Sequence, residues 1–459
     1  MLEAITHSSA GEAFDYQRLE FIGDCFLKYL TSLNLMAQHL NWPEGFLTSL
    51  KGRIVSNGSL KNASLAVGLD RFLMTTSFTG AKWRPHYLGD FEQSSIRQTA
   101  EKRTFSSKAV ADVVESLIGA CLMDGGVDRA HRCVEHLLND RKWLSPSSTI
   151  SMLFSDAPAQ GFFSSPPLYL QLESVLGYSF NKKSLALQAI THGSYQLANG
   201  ASYERLEFLG DAILDFIIVQ IMSAHSRRLS HIMMHTLRTA VVNADLLAFL
   251  CMHFSVIEQR TKVTPAAIGD EFIFHEEPEE RKIWQFLHHV PGGMDRTKQA
   301  TNDRYMGTRD KITQALDQDT RYPWALLAHL NAPKFFSDMI ESILGAIFID
   351  SQGSLPVCEA FLERIGLLPI LRRFLRDEVD CLHPKDRIGQ MADQEKVKYV
   401  RSFEDGMYRV SVRIGEREIG STVEGLSQVA ADTEAATRAI EILERGGDAV
   451  MDEDGGVAL

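Results

Sequence analysis

The sequence predicts a mainly α chain: two tandem all-α domains followed by a small α+β unit. Three observations predict it. The chain repeats itself at the scale of a whole domain. The repeated blocks carry helical apolar periodicity. Residues 407–414 then switch to strand alternation.

The repeat comes first. Residues 4–30 read AITHSSAGEAFDYQRLEFIGDCFLKYL, and residues 189–215 read AITHGSYQLANGASYERLEFLGDAILD. AITH recurs 185 residues later and RLEF 187 residues later. Downstream, residues 108–120 (KAVADVVESLIGA) are echoed by residues 334–346 (KFFSDMIESILGA). Each copy thus holds a block LEFxGD and then a block KxxxDxxESxxGA, a period far too long for a solenoid.

The copies differ. The second has an amphipathic lead-in over 169–187 and the first has three residues before its AITH, so the chain is expected to start inside its first domain. Asp24 and Asp112 are 88 residues apart, but Asp211 and Asp338 are 127 apart. The extra 39 are expected as an exposed insertion at about 258–310, which carries HEEPEERK and PGGMDR.

These marks divide the chain. A first domain spans 1–144, and a Ser/Pro/Gly-rich linker 145–167. A second domain spans 168–376, an α+β unit 381–446 and a disordered polar tail 447–459. In the α+β unit, Tyr408, Val410, Val412 and Ile414 alternate with Arg409, Ser411 and Arg413, Gly415-Glu416 can turn the chain, and Ser427–Leu443 reads as an Ala-rich helix.

Composition narrows the function classes. The 459 residues are 45% apolar and 23% charged, which is ordinary globular usage. The densest apolar stretch, around Ile213–Met222, is broken by Asp215 and Gln220, so no bilayer span is expected. No secretory signal opens the chain, and six cysteines without a CxxC pair fit an intracellular protein of cytoplasm or nucleus. No GxxxxGK[ST] loop is present, so no ATP site is expected; DEVD at 377–380 is coincidence without one. The net charge of −12 argues against a nonspecific nucleic-acid coat but leaves room for a site built from carboxylates.

The candidate site residues are such carboxylates. On a helix from Arg18 to Leu30, Glu20 and Asp24 are spaced i,i+4 and share a face; Glu207 and Asp211 repeat this. Asp112 with Glu115, and Asp338 with Glu341, are spaced i,i+3 on strongly apolar helices, each followed by Gly-Ala that permits close helix approach. A carboxylate on an apolar helix is costly to bury unless something neutralises it. Two such pairs brought together offer hard oxygen ligands that suit Mg²⁺ or Mn²⁺, and such ions activate water and stabilise phosphoryl transfer. Lys108 and Lys334 sit four residues before the Asp and could steady developing charge. One i,i+4 acid pair is usually a solvated face; two blocks, each duplicated with the same spacing, favour the site.

YQRLEFIGDCFL and YERLEFLGDAIL resemble the signature of ribonuclease III, and DxxESxxGA resembles that family's second acidic motif. The tandem arrangement with its terminal unit resembles the C-terminal part of fungal Dicer-type enzymes. The resemblance implies cleavage of double-stranded RNA with Mg²⁺ or Mn²⁺ in gene silencing. The two domains would pair face to face within the chain, each cutting one strand and leaving short 3′ overhangs. It makes Glu20, Asp24, Asp112 and Glu115 the metal ligands of the first domain, and Glu207, Asp211, Asp338 and Glu341 those of the second. One departure is Gln17 where the second copy has Glu204. A non-catalytic duplex-RNA scaffold with decayed sites is the rival, disfavoured by the intact acids.

The terminal unit resembles a double-stranded RNA-binding domain, with Pro384-Lys385 at its helix start. Where that fold places a lysine cluster on phosphates, this chain has Gln428, Val429 and Asp432, and residues 384–445 carry 10 basic and 12 acidic side chains. Weak RNA binding, or docking of silencing-complex proteins, is therefore expected of it.

Overall fold

The computed structural model of the chain describes residues 1–77, 106–158, 166–195, 202–265 and 272–446. The first repeat contains α1 (Leu2–Ile5), α2 (Gln17–Gln38), α3 (Glu44–Ile54), α4 (Asn57–Val67) and α5 (Ser107–Leu137), the last broken at Gly125-Gly126. Next come α6 (Pro146–Asp156) and α7 (Pro166–Leu176). The second repeat follows with α8 (Lys183–Ala189), α9 (Glu204–Ser223), α10 (His231–Val241) and α11 (Ala244–His253). A hairpin, β1 (Ser255–Pro265) and β2 (Phe272–Lys282), interrupts it before α12 (Gly293–Gln318), α13 (Trp324–His329), α14 (Phe335–Asp350), α15 (Leu355–Arg364) and α16 (Leu367–Arg376). The C-terminal unit is α17 (Pro384–Met391), β3 (Val397–Glu404), β4 (Met407–Ile414), β5 (Arg417–Gly425) and α18 (Gln428–Glu444).

Local chemistry sets many of these starts. Ser56, Ser106, Ser145, Ser230, Asn243 and Ser427 each accept a backbone N–H of the helix they precede. Each such cap satisfies a donor that would otherwise be orphaned.

The duplication is visible in three dimensions. In the first repeat, His7 N donates to Met74 O and Met74 N to Ile5 O, both at 2.8 Å. In the second, His192 N donates to His288 O at 2.9 Å and His288 N to Ile190 O at 2.8 Å. This pairing relocates the insertion. Asp24 to Met74 is 50 residues and Asp211 to His288 is 77, so 27 of the 39 extra residues precede His288 and form the β1–β2 hairpin. The remainder of 258–310 is not an exposed insertion. Ile283, Phe286 and Leu287 are buried, and α12 buries Thr301, Tyr305, Ile312 and Leu316.

The expected linker is also corrected. Ser145 caps α6 with Pro146 in its first turn, and Thr149, Ile150 and Leu153 are buried. Over residues 145–156, then, the Ser/Pro composition marks a helix start; residues 159–165 of the expected linker lie outside the described residues. The lead-in over 169–187 falls on α7 and α8. The tail 447–459 lies outside the described residues.

The two repeats share one apolar core, with members from Ile22 to Cys381. At its centre Tyr29 of α2 stacks on Phe216 of α9, centroids 4.5 Å apart. The Arg of each RLEF block reaches across to the other repeat. Arg205 donates to carbonyls of Met36 (3.4 Å), His39 (3.1 Å) and Trp42 at the end of α2, and Arg18 donates to Ser223 O at 3.3 Å at the end of α9. Each guanidinium thus satisfies last-turn carbonyls and meets the negative end of a helix dipole. Arg205→Met, which keeps the apolar stem, is expected to cost about 2 kcal/mol, read as a lowered midpoint in urea melts of the whole chain.

In the C-terminal unit β3–β4–β5 is an antiparallel meander. Val410, Val412, Ile414 and Val423 pack on Ile388, Ala431, Ala435, Ala439 and Ile440. The unit is fastened to the second repeat. Arg321 grips Glu444 with two hydrogen bonds of 2.8 and 2.6 Å, and Trp324 Nε1 donates to Cys381 O at 3.2 Å.

Candidate metal centres

Two helices meet backbone to backbone in each repeat, and glycines make this contact possible. A Cβ at Gly23 would lie 1.8 Å from Glu115 O, and one at Gly119 would lie 2.0 Å from Leu19 O. The second repeat copies this, with Gly210 against Glu341 O (1.8 Å) and Gly345 against Leu206 O (2.3 Å). The glycines of LEFxGD and of ESxxGA are therefore partners. Their approach brings the acids of distant segments together.

Glu20, Asp112 and Glu115 each place a carboxylate oxygen within 4.8 Å of the others; Glu207, Asp338 and Glu341 do the same. Asp24 and Asp211 stand outside these triads, close enough that each raises the pKa of the neighbouring Glu115 or Glu341. Asp24 is held by Lys28 at 2.6 Å. At the position matching Lys28 the second repeat has Asp215, paired with Arg238 at 3.1 Å. The structure thus gathers three of four expected ligands per site and sets the fourth beside them.

Crowding and burial leave their mark on protonation. Burial, then the charges of Asp24, Glu20 and Asp112, pushes Glu115 up to about 9. Burial, then Asp211, Asp338 and Glu207, lifts Glu341 well above the carboxylate range. Burial also raises Glu20, Glu207 and Asp338. Lys108 Nζ reaches Glu20 at 3.1 Å and Asp112 at 2.9 Å, and Lys334 Nζ reaches Glu207 and Asp338, the latter at 2.8 Å. One ammonium does not offset three clustered carboxylates. The donor set, hard oxygens in excess of neighbouring cations, fits a divalent ion.

Sequence reasoning missed four contributors. Tyr16 Oη donates to Asp112 at 3.1 Å, and Tyr203 Oη to Asp338 at 3.3 Å, fixing the orientation of each Asp. Each tyrosine lies two residues before RLEF in both copies, a signal that was available. Across the repeats, Lys51 sits 4.3 Å over the Phe208 ring and Arg238 5.7 Å from that of Phe21. Nothing in local spacing announces them. AITH proves to be scaffolding: Ser116 and Ser342 donate to Ala4 O and Ala189 O, at 2.5 and 2.7 Å.

In the C-terminal unit Asp432 is buried and takes Lys385 at 2.6 Å and Arg401 at 2.9 Å. On α18, where the double-stranded RNA-binding fold places a lysine cluster, Asp432 thus neutralises two cations contributed by α17 and β3. Burial opposes ionisation of Asp432, but hydrogen bonds from Arg401 and Lys385 prevail and hold it below the usual carboxylate range. The stability this contributes is present above an unfolded pKa of about 3.9 and is lost as pH falls through the lower folded value. Asp432→Ala is expected to cost about 2 kcal/mol, since both partners are part-exposed. Faster hydrogen exchange of the β4 amides would show it.

A family model described as the ribonuclease III domain matches residues 17–126 and 204–352. A model described as the double-stranded RNA-binding domain of Dicer-like protein 2 matches residues 377–457. Dicer-like protein 2 of Phaeosphaeria nodorum is 41% identical over 479 residues, covering 100% of this chain and 33% of that protein. The Coccidioides immitis protein of that name is 42% identical, covering 96% and 31%. The chain therefore spans about a third of the curated relatives it matches. Among solved structures, Dicer from Giardia intestinalis is 14% identical with a TM-score of 0.38, covering 77% of this chain and 54% of that one.

Proposed function

Since the chain belongs to the ribonuclease III family, we propose that it is a double-strand-specific endoribonuclease whose two repeats each cut one strand of a duplex RNA. The reading is carried by the duplicated carboxylate triad, present with the same partners in both repeats. Mg²⁺ or Mn²⁺ is the proposed cofactor. It supplies activation of water and neutralisation of phosphate charge when bound.

The protein's own residues do the rest. Glu20, Asp112 and Glu115, with Asp24 beside them, would hold the ion in the first repeat; Glu207, Asp338 and Glu341, with Asp211 beside them, would hold it in the second. Tyr16 and Tyr203 keep Asp112 and Asp338 from rotating out of reach. Lys108 and Lys334, whose side chains are largely exposed, offer an ammonium to a phosphate oxygen at the mouth of each site. The shared core keeps the two sites in a fixed relation, so that two cuts can produce short duplexes with 3′ overhangs. A role in gene silencing is part of the same proposal. The C-terminal unit, with Lys385 and Arg401 tied to Asp432, adds little duplex affinity in this reading.

Incubation of the chain with long duplex RNA tests it. Cleavage that requires Mg²⁺ or Mn²⁺ and leaves single-stranded RNA intact is expected. Duplex binding without any metal-dependent cleavage would reverse the assignment in favour of a scaffold.

A further inference from the structure

We propose that α10 of the second repeat supplies a phosphate-binding stripe, His231 and His235, anchored by Arg238, to the acidic site of the first repeat, and that the second site lacks its equivalent. The proposal rests on the endoribonuclease reading and adds how the two strands are held.

The geometry is a composite cavity. About 620 Å³ opens over the first site, walled on one side by Glu20, Asp24 and Asp112 and on the other by His231, His235 and Arg238. The spacing i, i+4, i+7 puts the three on one face of α10. Phe21, next to Glu20, is the contact of two of them: the His235 ring lies 6.4 Å from it edge-on, and the Arg238 guanidinium 5.7 Å away. Arg238 is committed to Asp215. Among the described residues neither imidazole is hydrogen-bonded to another side chain; His235 is exposed and His231 half-buried.

The second site shows what is missing. Helix α3, also eleven residues long, is the counterpart of α10. It carries Glu44, Thr48 and Lys51 at the matching positions. Lys51 packs on Phe208 as Arg238 packs on Phe21. Thr48 donates to Glu44, so this stripe presents a carboxylate where the other presents imidazoles. Phosphate affinity grows with the number of donors and cations in reach. An imidazole donates at least one N–H in either protonation state. On a chain of net charge −12, two such donors beside an acid cluster are a local attraction that the second site does not share.

The test uses the full chain and a duplex of about 30 base pairs, each strand end-labelled in turn, with Asp24→Ala and Asp211→Ala identifying which site cuts which strand. His231→Ala/His235→Ala is expected to raise the half-saturating duplex concentration for the first-site strand about tenfold. Its maximal rate should stay within about twofold, and the second-site strand should be unaffected. His231→Lys/His235→Lys should restore the strand, and Glu44→His/Thr48→His should tighten the second-site strand, a gain that a merely structural role would not produce. Duplex affinity by anisotropy with Ca²⁺ replacing Mg²⁺ reads the stripe without turnover. If wild type cuts neither strand, the endoribonuclease reading fails while anisotropy still decides the stripe. Unchanged affinity in the alanine variant, or equal loss on both strands, overturns the stripe.

Discussion

Asp338→Ala is expected to stop cleavage of one strand of a duplex and spare the other, and Asp24→Ala to do the reverse. Asp338 belongs to the second triad and Asp24 flanks the first, and no side chain is shared between the two sets of acids. Losing a ligand from a cluster proposed to carry the charge stabilisation of the reaction is worth about 10³-fold, or about 4 kcal/mol. Stability should move the other way for Asp338. Burial raises its pKa, so the carboxylate is a burden on the metal-free fold, and Lys334 keeps Glu207 as a partner after its removal. The variant should melt no lower than wild type in EDTA. End-labelled substrates read each strand separately. If each substitution leaves cutting of both strands unchanged, the two-site mechanism is wrong.

Gly210→Ala is expected to destabilise the chain by about 3 kcal/mol or more, although alanine is the better helix former. The helix-propensity gain is at most about 1 kcal/mol. Against it stands a methyl 1.8 Å from the Glu341 carbonyl oxygen, where backbone rather than a flexible side chain must yield. Overpacking of this kind costs about 1–3 kcal/mol even where side chains can shift. At about 2–4 °C per kcal/mol for a unit of this size, the melting temperature should fall by roughly 6–12 °C. The same displacement parts Glu341 from Glu207 and Asp338, so metal affinity at the second site should fall too. Gly307→Ala in α12 is the control. Nothing lies within 4 Å of its Cβ, and it should be neutral or stabilising.

Much of the site was legible before any coordinates. Glu20 with Asp24, and Asp112 with Glu115, share helix faces because side chains three and four apart on a helix are neighbours, which spacing alone encodes. The duplication then separated these acids from ordinary solvated pairs. The misreadings were of another kind. Ser145 and Pro146 look like linker residues but also begin a helix, and only the burial of Ile150 and Leu153 distinguishes the two. The span 258–310 was expected to be exposed because it carries HEEPEERK and PGGMDR, yet Ile283, Phe286 and Tyr305 within it pack into the core while the hairpin before them stays outside. Asp432 stood out as an acid where a lysine was expected, but its capture of Lys385 and Arg401 joins positions 47 and 31 residues away.

By itself, then, the sequence determined the two-copy plan, the helical faces that carry the acids, and the glycines that let helices close on one another. These are properties of spacing and of residue size. Only the tertiary structure decided which faces meet. It joined Glu20 to Asp112 and Glu115, and carried Arg238 and two histidines of one repeat into the site of the other. Contacts between segments separated by some 90 to 200 residues are chosen by the packing of whole helices around a common core. No local pattern records that choice.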